Sequence, residues 1–310
     1  KRGEIEDWIT PYKEELNCMI DRRSHEIKGD EITAQIRKES IPLRMILENK
    51  RDGRLKARLV AIGFREPKHW DIKSNSSPVV SISTVRALLF KAGLVTDVIS
   101  SIDISVAFLQ SNPYSEDDIK RYVVYRPNKS AEPRYFILKG SIYGQRSAAR
   151  EWYDTLASWL ESEGYRRQKD EPCSFINEKG FTVLAYVDDI ICRGSIEETE
   201  KFYKLLNKRF DCKDYNILTP HNKLAFLGFD ITCHDMDACD VRELVSEETM
   251  HNAVINHDNK IRMLSIGQKE VIETYLQSKG VSHTFNINSP MPNKYEALSD
   301  PTLLEGQDIN

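Results

Sequence analysis

The chain has 310 residues, enough for two or three subdomains around a substantial core. Its 40% hydrophobic and 30% charged residues are typical of a soluble globular protein, and no apolar run has the length of a membrane span or the pattern of a signal peptide. Scattered cysteines favour reduced thiols in an intracellular setting, while the net charge of −4 neither indicates nor excludes a nucleic-acid partner.

The first predicted elements are an amphipathic helix and a basic hairpin. Apolar residues recur at helical spacing from Glu4 to Arg23, as in a helix that packs on a core. Two β-rich runs, Ile41 to Glu48 and Arg54 to Ile62, flank a linker that contains the hairpin signal Asp52-Gly53. The basic residues of this hairpin are Arg44, Lys50, Arg51, Arg54, Lys56 and Arg58. Their plainest interpretation is a solvated charged surface.

The remaining predicted elements alternate helices with short strands that pair mostly as hairpins. Helices are predicted over Pro78 to Val95, Ala148 to Glu163, Ile196 to Phe210 and Gln268 to Lys279. Strands are predicted over Ser101 to Leu109, Tyr122 to Tyr125, Tyr135 to Leu138, on both sides of Val187 to Asp189, and over Leu224 to Thr232. This succession favours an α+β sheet domain over a doubly wound one.

Three carboxylates interrupt the most apolar of these strands. Asp188 and Asp189 follow an apolar run that ends at Tyr186, and Asp103 lies between Ile102 and Ile104. Burying like charges is costly unless a cation or a proton neutralises them. Three carboxylates on neighbouring strands suit two metal ions about 4 Å apart, the arrangement used for in-line phosphoryl transfer. The alternatives are a surface Asp-Asp turn and a solvent-facing strand aspartate.

A loose cysteine and histidine cluster follows in a polar, acid-rich stretch. Its members are Cys233, Cys239, His251 and His257, at spacings close to a zinc-finger pattern but outside its usual limits. The stretch Cys233 to Lys260 is therefore predicted to be a flexible, solvated loop, with a zinc site as the alternative.

Several motifs together resemble the reverse transcriptases of the Copia class of LTR retrotransposons (the Pseudoviridae type). The tetrad Tyr186 to Asp189 resembles the third catalytic motif of that family, and Asp103 with Phe108 resembles the first. Further matches occur in the family's order at Lys56 to Phe64, Ser77 to Val80, Ile142 to Gly144, Asp170 to Cys173, Phe226 to Gly228 and Ser289 to Pro292. The resemblance covers about residues 5 to 295.

The resemblance implies a right-hand polymerase fold with fingers, palm and thumb. It assigns residues 1–97 to an N-terminal helix and fingers, 98–111 to the palm with the first catalytic motif, and 112–155 to a fingers–palm connection. Residues 156–232 become palm with the catalytic hairpin and primer grip, and 233–310 a polar insertion and thumb. The implied activity is RNA-directed DNA synthesis with two Mg²⁺ ions, for which Mn²⁺ can substitute.

Roles for individual residues follow from the same resemblance. The implied metal ligands are Asp103, Asp188, Asp189 and the backbone oxygen of Ile104, and the three aspartates are the catalytic residues. Phe108 matches the aromatic gate that rejects a 2′-hydroxyl. The implied nucleotide-binding residues are Lys56, Arg58, Ala107, Phe108, Tyr143, Gly144 and Arg146, and the primer grip is Phe226, Leu227 and Gly228. The chain departs from the family's second motif at Gln145, Ser147 and Ala149, which weakens the contacts expected there.

The expected partners are an RNA template, a DNA primer–template duplex and deoxynucleoside triphosphates. No membrane is expected among the partners. RNase H and integrase regions of the same polyprotein and a homodimer are further candidates, since the resembled polyproteins continue beyond the position of Pro292. The expected location is cytoplasmic, in a virus-like particle with a nuclear stage. Two other functions stay open: an RNA replicase, disfavoured by Phe108, and a silent, domesticated protein of the same fold, kept open by the altered second motif.

Overall fold

The computed structural model describes residues 3–50, 53–70, 75–93, 97–244 and 260–268, together with 272, 273 and 276. The chain divides into two units, Lys1–Gly267 and Gln268–Asn310. Nearly all described residues belong to the first unit. Outside the described residues lie most of the predicted helix from Gln268 to Lys279 and all of the stretch Ser289 to Pro292, His251 and His257.

The described elements alternate helices and strands, as predicted. The helices are α1 (Gly3–Arg23), α2 (Ala34–Glu39), α3 (Ile82–Gly93), α4 (Ala148–Ser162), α5 (Ile196–Arg209) and α6 (Ala238–Leu244), with 3-10 turns at Gly29–Glu31, Gly63–Arg65, Lys68–Trp70 and Ala107–Gln110. The strands are β1 (Ser24–Ile27), β2 (Ile41–Asn49), β3 (Leu55–Ala61), β4 (Val98–Ile104), β5 (Tyr122–Tyr125), β6 (Arg134–Leu138), β7 (Arg166–Arg167), β8 (Ser174–Ile176), β9 (Thr182–Tyr186), β10 (Asp189–Gly194), β11 (Cys212–Ile217), β12 (Lys223–Phe226), β13 (Phe229–Asp237) and β14 (Lys260–Gly267).

A five-stranded sheet in the order β1-β6-β5-β2-β3 contains the predicted basic hairpin. Strands β2 and β3 pair antiparallel, with Glu48 opposite Lys56 and Ile46 opposite Arg58. Ala57, Leu59 and Ala61 are buried while the residues between them are half-buried, so one face of β3 packs on the core. Helix α1 covers the outer edge of β3, where the Glu15 carboxylate accepts a 2.9 Å hydrogen bond from the Leu59 N–H. This contact satisfies an edge donor that would otherwise lack a partner.

A six-stranded sheet in the order β11-β4-β10-β9-β8-β7 forms the centre of the predicted palm. The apolar residues of β4, β9 and β10 and one side of α3, α4 and α5 form a single buried cluster. Helix α5 begins after the N-cap residue Ser195, whose hydroxyl accepts from the Glu198 N–H at 3.2 Å. Helix α4 ends before Gly164, whose φ of +87° is a usual helix stop. Both helices have the bounds that the sequence predicted, to within one residue.

A three-stranded sheet, β12-β13-β14, corrects two predictions. The stretch Leu224 to Thr232 is a hairpin with a turn at Leu227-Gly228, where one strand was predicted. The loop predicted from Cys233 is wrong at its start, because Cys233 is buried in β13 and α6 follows directly. Apolar Ile231, Cys233 and Ile261 alternate inward here, which a solvated loop would not require.

Two further boundaries differ from the predictions. Helix α3 begins at Ile82 rather than Pro78, because the Ser81 hydroxyl caps it by accepting from the Thr84 N–H at 3.1 Å. Strand β4 ends at Ile104, so Phe108 lies on a 3-10 turn and not on the predicted strand. Among the described helices, none is long and apolar enough to cross a membrane.

Candidate active site

The acidic tetrad forms a two-residue turn between β9 and β10. Tyr186 pairs with Asp189 across the hairpin, so that Val187 and Asp188 form the loop. Val187 has a φ of 55°, which is rare for a β-branched residue and costs roughly 1–3 kcal/mol. The indole N–H of Trp152 on α4 donates to the Val187 carbonyl at 2.6 Å. The strained turn is therefore held from the helix behind it.

The structure brings the predicted carboxylates together on neighbouring strands. Asp103 on β4 lies directly opposite Asp189 on β10. The Ile104 N–H donates to the Asp188 carbonyl at 2.9 Å. Since hydrogen-bonded and non-hydrogen-bonded pairs alternate along an antiparallel ladder, Asp103 and Asp189 form a non-hydrogen-bonded pair, with Cα atoms about 4.5 Å apart. Their side chains leave the same face of the sheet beside Asp188.

Burial and mutual repulsion raise the pKa values of Asp189 and Asp103. Burial, followed by the charges of Asp188 and Asp103, raises the pKa of Asp189 to about 6. Burial also raises the pKa of Asp103, and the nearby Lys213 ammonium opposes the shift. A site that penalises carboxylate charge in this way favours a bound cation.

Lys213 and Asp214 are neighbours of Asp103 that the sequence reasoning did not assign to the carboxylate site. Strand β11 pairs with β4 with Asp214 opposite Asp103, and the register shifts between Cys212 and Asp214. Lys213 lies in this bulge, with its Nζ 4.0 Å from Asp103 Oδ2 and 3.1 Å from Asp214 Oδ2. The sequence offers no signal for this bulge, because the bulge arises from the pairing of β11 with β4.

The oxygen donors at this site fit Mg²⁺. Among the described residues, no three Asp, Glu, His or Cys side chains converge into a complete metal cage. Mg²⁺ needs no such cage, because it is usually held by one or two carboxylates together with water and substrate phosphates. Asp103, Asp188 and Asp189 can supply those carboxylates, while the backbone oxygen of Ile104 stays a predicted ligand.

Phe108 lies on the 3-10 helix Ala107–Gln110, which follows β4. The chain turns sharply after β4 at Val106, which has left-handed φ and ψ values of 43° and 44°. Ala107 is buried, and the half-buried Phe108 ring meets the Tyr143 ring edge-on at a centroid distance of 5.2 Å. The predicted gate and the predicted nucleotide-binding tyrosine are therefore in contact.

The predicted second motif packs tightly on β3. The Ala61 N–H donates to the Tyr143 carbonyl at 2.7 Å. Gly144 has a φ of +84°, and a Cβ there would overlap the backbone of Ala61, so this position requires glycine. The Arg146 guanidinium Nε contacts the Glu66 carboxylate at 3.2 Å. Gln145, one of the departures from the family pattern, is buried and accepts from the Ile142 N–H at 2.8 Å.

The two predicted phosphate ligands of the hairpin have different surroundings. Burial and the positive charges of Arg58 and Lys50 lower the pKa of Lys56, and the Asp188 carboxylate opposes that shift. Lys56 in turn stabilises the charged form of Asp103. Arg58 forms an ion pair with Glu48 at 2.5 Å on the same hairpin. Lys56 is thus electrostatically linked to the carboxylates, while Arg58 already has an anionic partner.

The predicted primer grip lies on the β12–β13 turn. Phe226 pairs with Phe229, and the loop residues Leu227 and Gly228 have φ values of 54° and 75°. This is the pattern of a type I′ turn. A pocket of about 220 Å³ joins the turn to the acidic site and is lined by Phe226, Leu224, Lys223, Asp214, Asp103 and Asp189, among others. Of the described non-glycine residues, those with positive φ are Val106, Val187 and Leu227, and each lies in a predicted motif.

The chain is similar to known proteins over most of its length. Residues 33–246 match the family described as reverse transcriptase (RNA-dependent DNA polymerase). The Retrovirus-related Pol polyprotein from transposon TNT 1-94 of Nicotiana tabacum is 29% identical over 292 residues, which cover 86% of this chain and 19% of that protein. The Transposon Ty1-ER2 Gag-Pol polyprotein of Saccharomyces cerevisiae is 29% identical over 243 residues, which cover 74% of this chain and 13% of that protein.

The chain therefore spans less than a fifth of the length of these relatives. Among solved structures, apo telomerase from Candida tropicalis is similar with a TM-score of 0.43 and 12% sequence identity, over 73% of this chain and 52% of that one. The same telomerase truncated from its C-terminal domain has a TM-score of 0.41 and 14% identity, over 73% and 58%.

Proposed function

Because this chain belongs to the reverse transcriptase (RNA-dependent DNA polymerase) family, in its Copia class, we propose that it copies an RNA or DNA template by adding deoxynucleotides to a primer 3′-hydroxyl. The observation that carries the proposal is the opposition of Asp103 and Asp189 beside Asp188 on a central strand pair. The polyprotein context of the relatives supports an LTR retrotransposon as the source of the activity.

The cofactor in this proposal is a pair of Mg²⁺ ions held by Asp103, Asp188 and Asp189. Members of this family generally use divalent metals. When bound, the metals lower the pKa of the primer hydroxyl and neutralise charge on the phosphates. The protein's own contribution is to hold Asp103 and Asp189 opposite each other on one strand pair, with Asp188 on the adjoining turn, whose backbone is fixed by the Ile104 N–H.

Lys56 and Phe108 have complementary roles in this proposal. Lys56 presents an ammonium near the carboxylates, where it can contact the triphosphate of the incoming nucleotide and orient it. The Phe108 ring, packed on Tyr143, occupies the space beneath the sugar and disfavours a 2′-hydroxyl. Deoxynucleotides are therefore the preferred substrates.

The alternative of a catalytically silent protein of this fold receives little support. The altered second motif kept that alternative open, yet Gln145 forms a buried hydrogen bond within its own turn. The substitution is therefore accommodated locally, and Gly144 keeps its close approach to β3.

Primer extension on an RNA template tests the proposed function. The chain is incubated with a labelled DNA primer, four deoxynucleotides and Mg²⁺, and parallel reactions contain EDTA. We expect Mg²⁺-dependent extension that is abolished in Asp188→Asn, while Asp240→Asn, which changes an exposed acid on α6, extends normally. Circular dichroism establishes that both variants are folded. Full extension by Asp188→Asn, or none by the unaltered chain, contradicts the proposal.

A further inference from the structure

A buried arginine at the end of α1 holds the segment that carries Phe108. Arg23 is 5% exposed, and its guanidinium Nε donates to the Leu109 carbonyl. Its Nη2 donates to the Ser111 carbonyl at 2.5 Å. Leu109 and Ser111 lie at the carboxyl end of the 3-10 helix Ala107–Gln110. Carbonyls at a helix end have no partner within the helix, so Arg23 supplies what this helix lacks.

Gly140 lies against the Arg23 guanidinium. A Cβ at Gly140 would overlap the Arg23 guanidinium, so the glycine leaves the space through which the side chain reaches the 3-10 helix. The Arg23 carbonyl accepts from the Lys139 N–H at 2.7 Å, which fixes the arginine backbone to the same segment. Burial lowers the pKa of Arg23 to about 10, so the guanidinium stays charged at neutral pH.

The amino end of the same helix is strained rather than capped. Val106 has left-handed φ and ψ values, and its side chain makes no capping hydrogen bond. Gln110 connects the segment to the residues that follow β4 and precede β11, because its side-chain nitrogen donates to the Ser105 carbonyl at 2.6 Å and to the Asp211 carbonyl at 3.2 Å. A single helical turn whose first residue is strained needs contacts at its carboxyl end to stay in one position.

We propose that Arg23 is a positioning residue for sugar selection, which fixes the carboxyl end of the 3-10 helix and thereby the place of the Phe108 ring. This inference rests on the proposed polymerase function. It assigns to α1, an element outside the catalytic sheet, a part in the discrimination between deoxynucleotides and ribonucleotides. The charge-assisted bonds to two carbonyls suit this role, since they define orientation as well as distance.

The experiment compares the ratio of kcat/KM for a deoxynucleotide to that for the matching ribonucleotide. The variants are Arg23→Gln, which removes the charge, and Gly140→Ala, which keeps the arginine and displaces it. The control is Arg134→Gln, which breaks a two-bond contact with Glu26 elsewhere in the five-stranded sheet. We expect both test variants to lower the ratio about tenfold, equivalent to about 1.4 kcal/mol, while the control preserves it.

A double variant shows whether Arg23 acts through the ring. Phe108→Val alone should lower the ratio, and adding Arg23→Gln should lower it no further, because the ring to be positioned is gone. An unchanged ratio in folded Arg23→Gln and Gly140→Ala overturns the inference and leaves Arg23 as a contributor to stability alone. Additive losses, or an equal loss in Arg134→Gln, overturn it as well. Failure of the unaltered chain to extend a primer instead contradicts the proposed function.

Discussion

The indole N–H of Trp152 donates to the carbonyl of Val187 at 2.6 Å and so connects the core of α4 to the turn that carries Asp188. Val187 has a φ of 55°, and a strained turn of this kind persists when its surroundings over-determine it. Trp152 also packs edge-on against Phe210 at a ring-centroid distance of 5.2 Å, which fixes the indole in place. The position of Asp188 therefore depends on a residue of the helix behind the sheet.

Trp152→Phe is expected to keep the fold and impair catalysis. The change retains an aromatic ring but leaves the Val187 carbonyl without its donor, at a cost of roughly 1–3 kcal/mol. We expect kcat for primer extension to fall at least about tenfold, with a small change in KM, because displacement of a catalytic carboxylate affects the reaction more than nucleotide binding.

Trp159→Phe is the matched control for this prediction. Trp159 lies on the same helix and meets Phe210 edge-on at 5.3 Å. Trp159 is only half-buried, so loss of its indole should reduce stability less than the change at Trp152, and kcat should stay near normal. Equal kcat values for the two variants would show that the Val187 hydrogen bond has no part in placing the carboxylate.

Asp189→Asn is expected to stabilise the metal-free protein at neutral pH. Burial and two neighbouring carboxylates raise the pKa of Asp189 to about 6. The folded state therefore keeps the Asp189 proton up to about pH 6, whereas the unfolded state releases it near pH 4. The unfolding free energy of the unaltered protein should therefore fall as pH rises from about 4 to about 6. Asparagine removes this dependence and should gain about 1–2 kcal/mol at pH 7, with allowance for solvent screening.

Urea unfolding in EDTA from pH 4.5 to 7.5 measures this difference, with Asp240→Asn as the exposed-acid control. Adding Mg²⁺ should stabilise the unaltered protein more at pH 7 than at pH 5, because the ion competes with the proton. Parallel stability curves for the unaltered protein and Asp189→Asn would mean that this carboxyl group titrates normally.

The elements that the sequence predicted well are those with a clear periodicity. The apolar stripe of α4 is a local signal, and this helix lies where that signal placed it. The β2–β3 hairpin was also predicted, from the Asp52-Gly53 signal between two β-rich runs. Asp103 and Asp189 were expected on neighbouring strands, but their direct opposition is a result of the structure.

The features that the sequence did not predict depend on long-range contacts or rare backbone conformations. Nothing local marks Val106 or Leu227 for positive φ, since a β-branched or bulky residue disfavours it, and so the 3-10 helix and the β12–β13 turn were interpreted as strand. Asp214 lies opposite Asp103 because β11 pairs with β4 and bulges at Lys213, and this pairing is a long-range contact. The hydrogen bonds of Trp152 and Arg23 likewise connect segments far apart in the chain.

Phe108→Val is expected to weaken discrimination against ribonucleotides. The smaller side chain opens the space beneath the sugar and gives up the edge-on contact with Tyr143 at 5.2 Å. We expect kcat/KM for ribonucleotides to rise relative to deoxynucleotides by about tenfold or more, since a clash with the 2′-hydroxyl is relieved. Tyr143→Phe, which keeps the ring contact, should preserve the ratio. If Phe108→Val does not change it, Phe108 is a packing residue.

The basic hairpin is expected to bind the triphosphate through Lys56 and, after a change of partner, through Arg58. The charge of Lys56 interacts electrostatically with the carboxylates of Asp103 and Asp188. Arg58 is paired with Glu48 at 2.5 Å and has to exchange that carboxylate for phosphate. Loss of one charge-assisted hydrogen bond to phosphate costs roughly 1.5–3 kcal/mol, which is about a ten- to hundredfold change in affinity.

Lys56→Ala and Arg58→Ala should therefore each raise KM for all four deoxynucleotides and leave the Kd for primer–template nearly unchanged. Glu48→Gln separates the ion pair of Arg58 from its expected phosphate contact, because it removes the anionic partner and keeps the guanidinium. We expect this variant to have a normal or lower KM, and Lys38→Ala, which removes an exposed basic residue on α2, to behave as the unaltered chain. Filter binding and steady-state extension measure the two constants. Weaker primer–template binding with a normal KM in Lys56→Ala or Arg58→Ala would identify the hairpin as a nucleic-acid clamp, because a phosphate ligand of the nucleotide has no contact with the duplex.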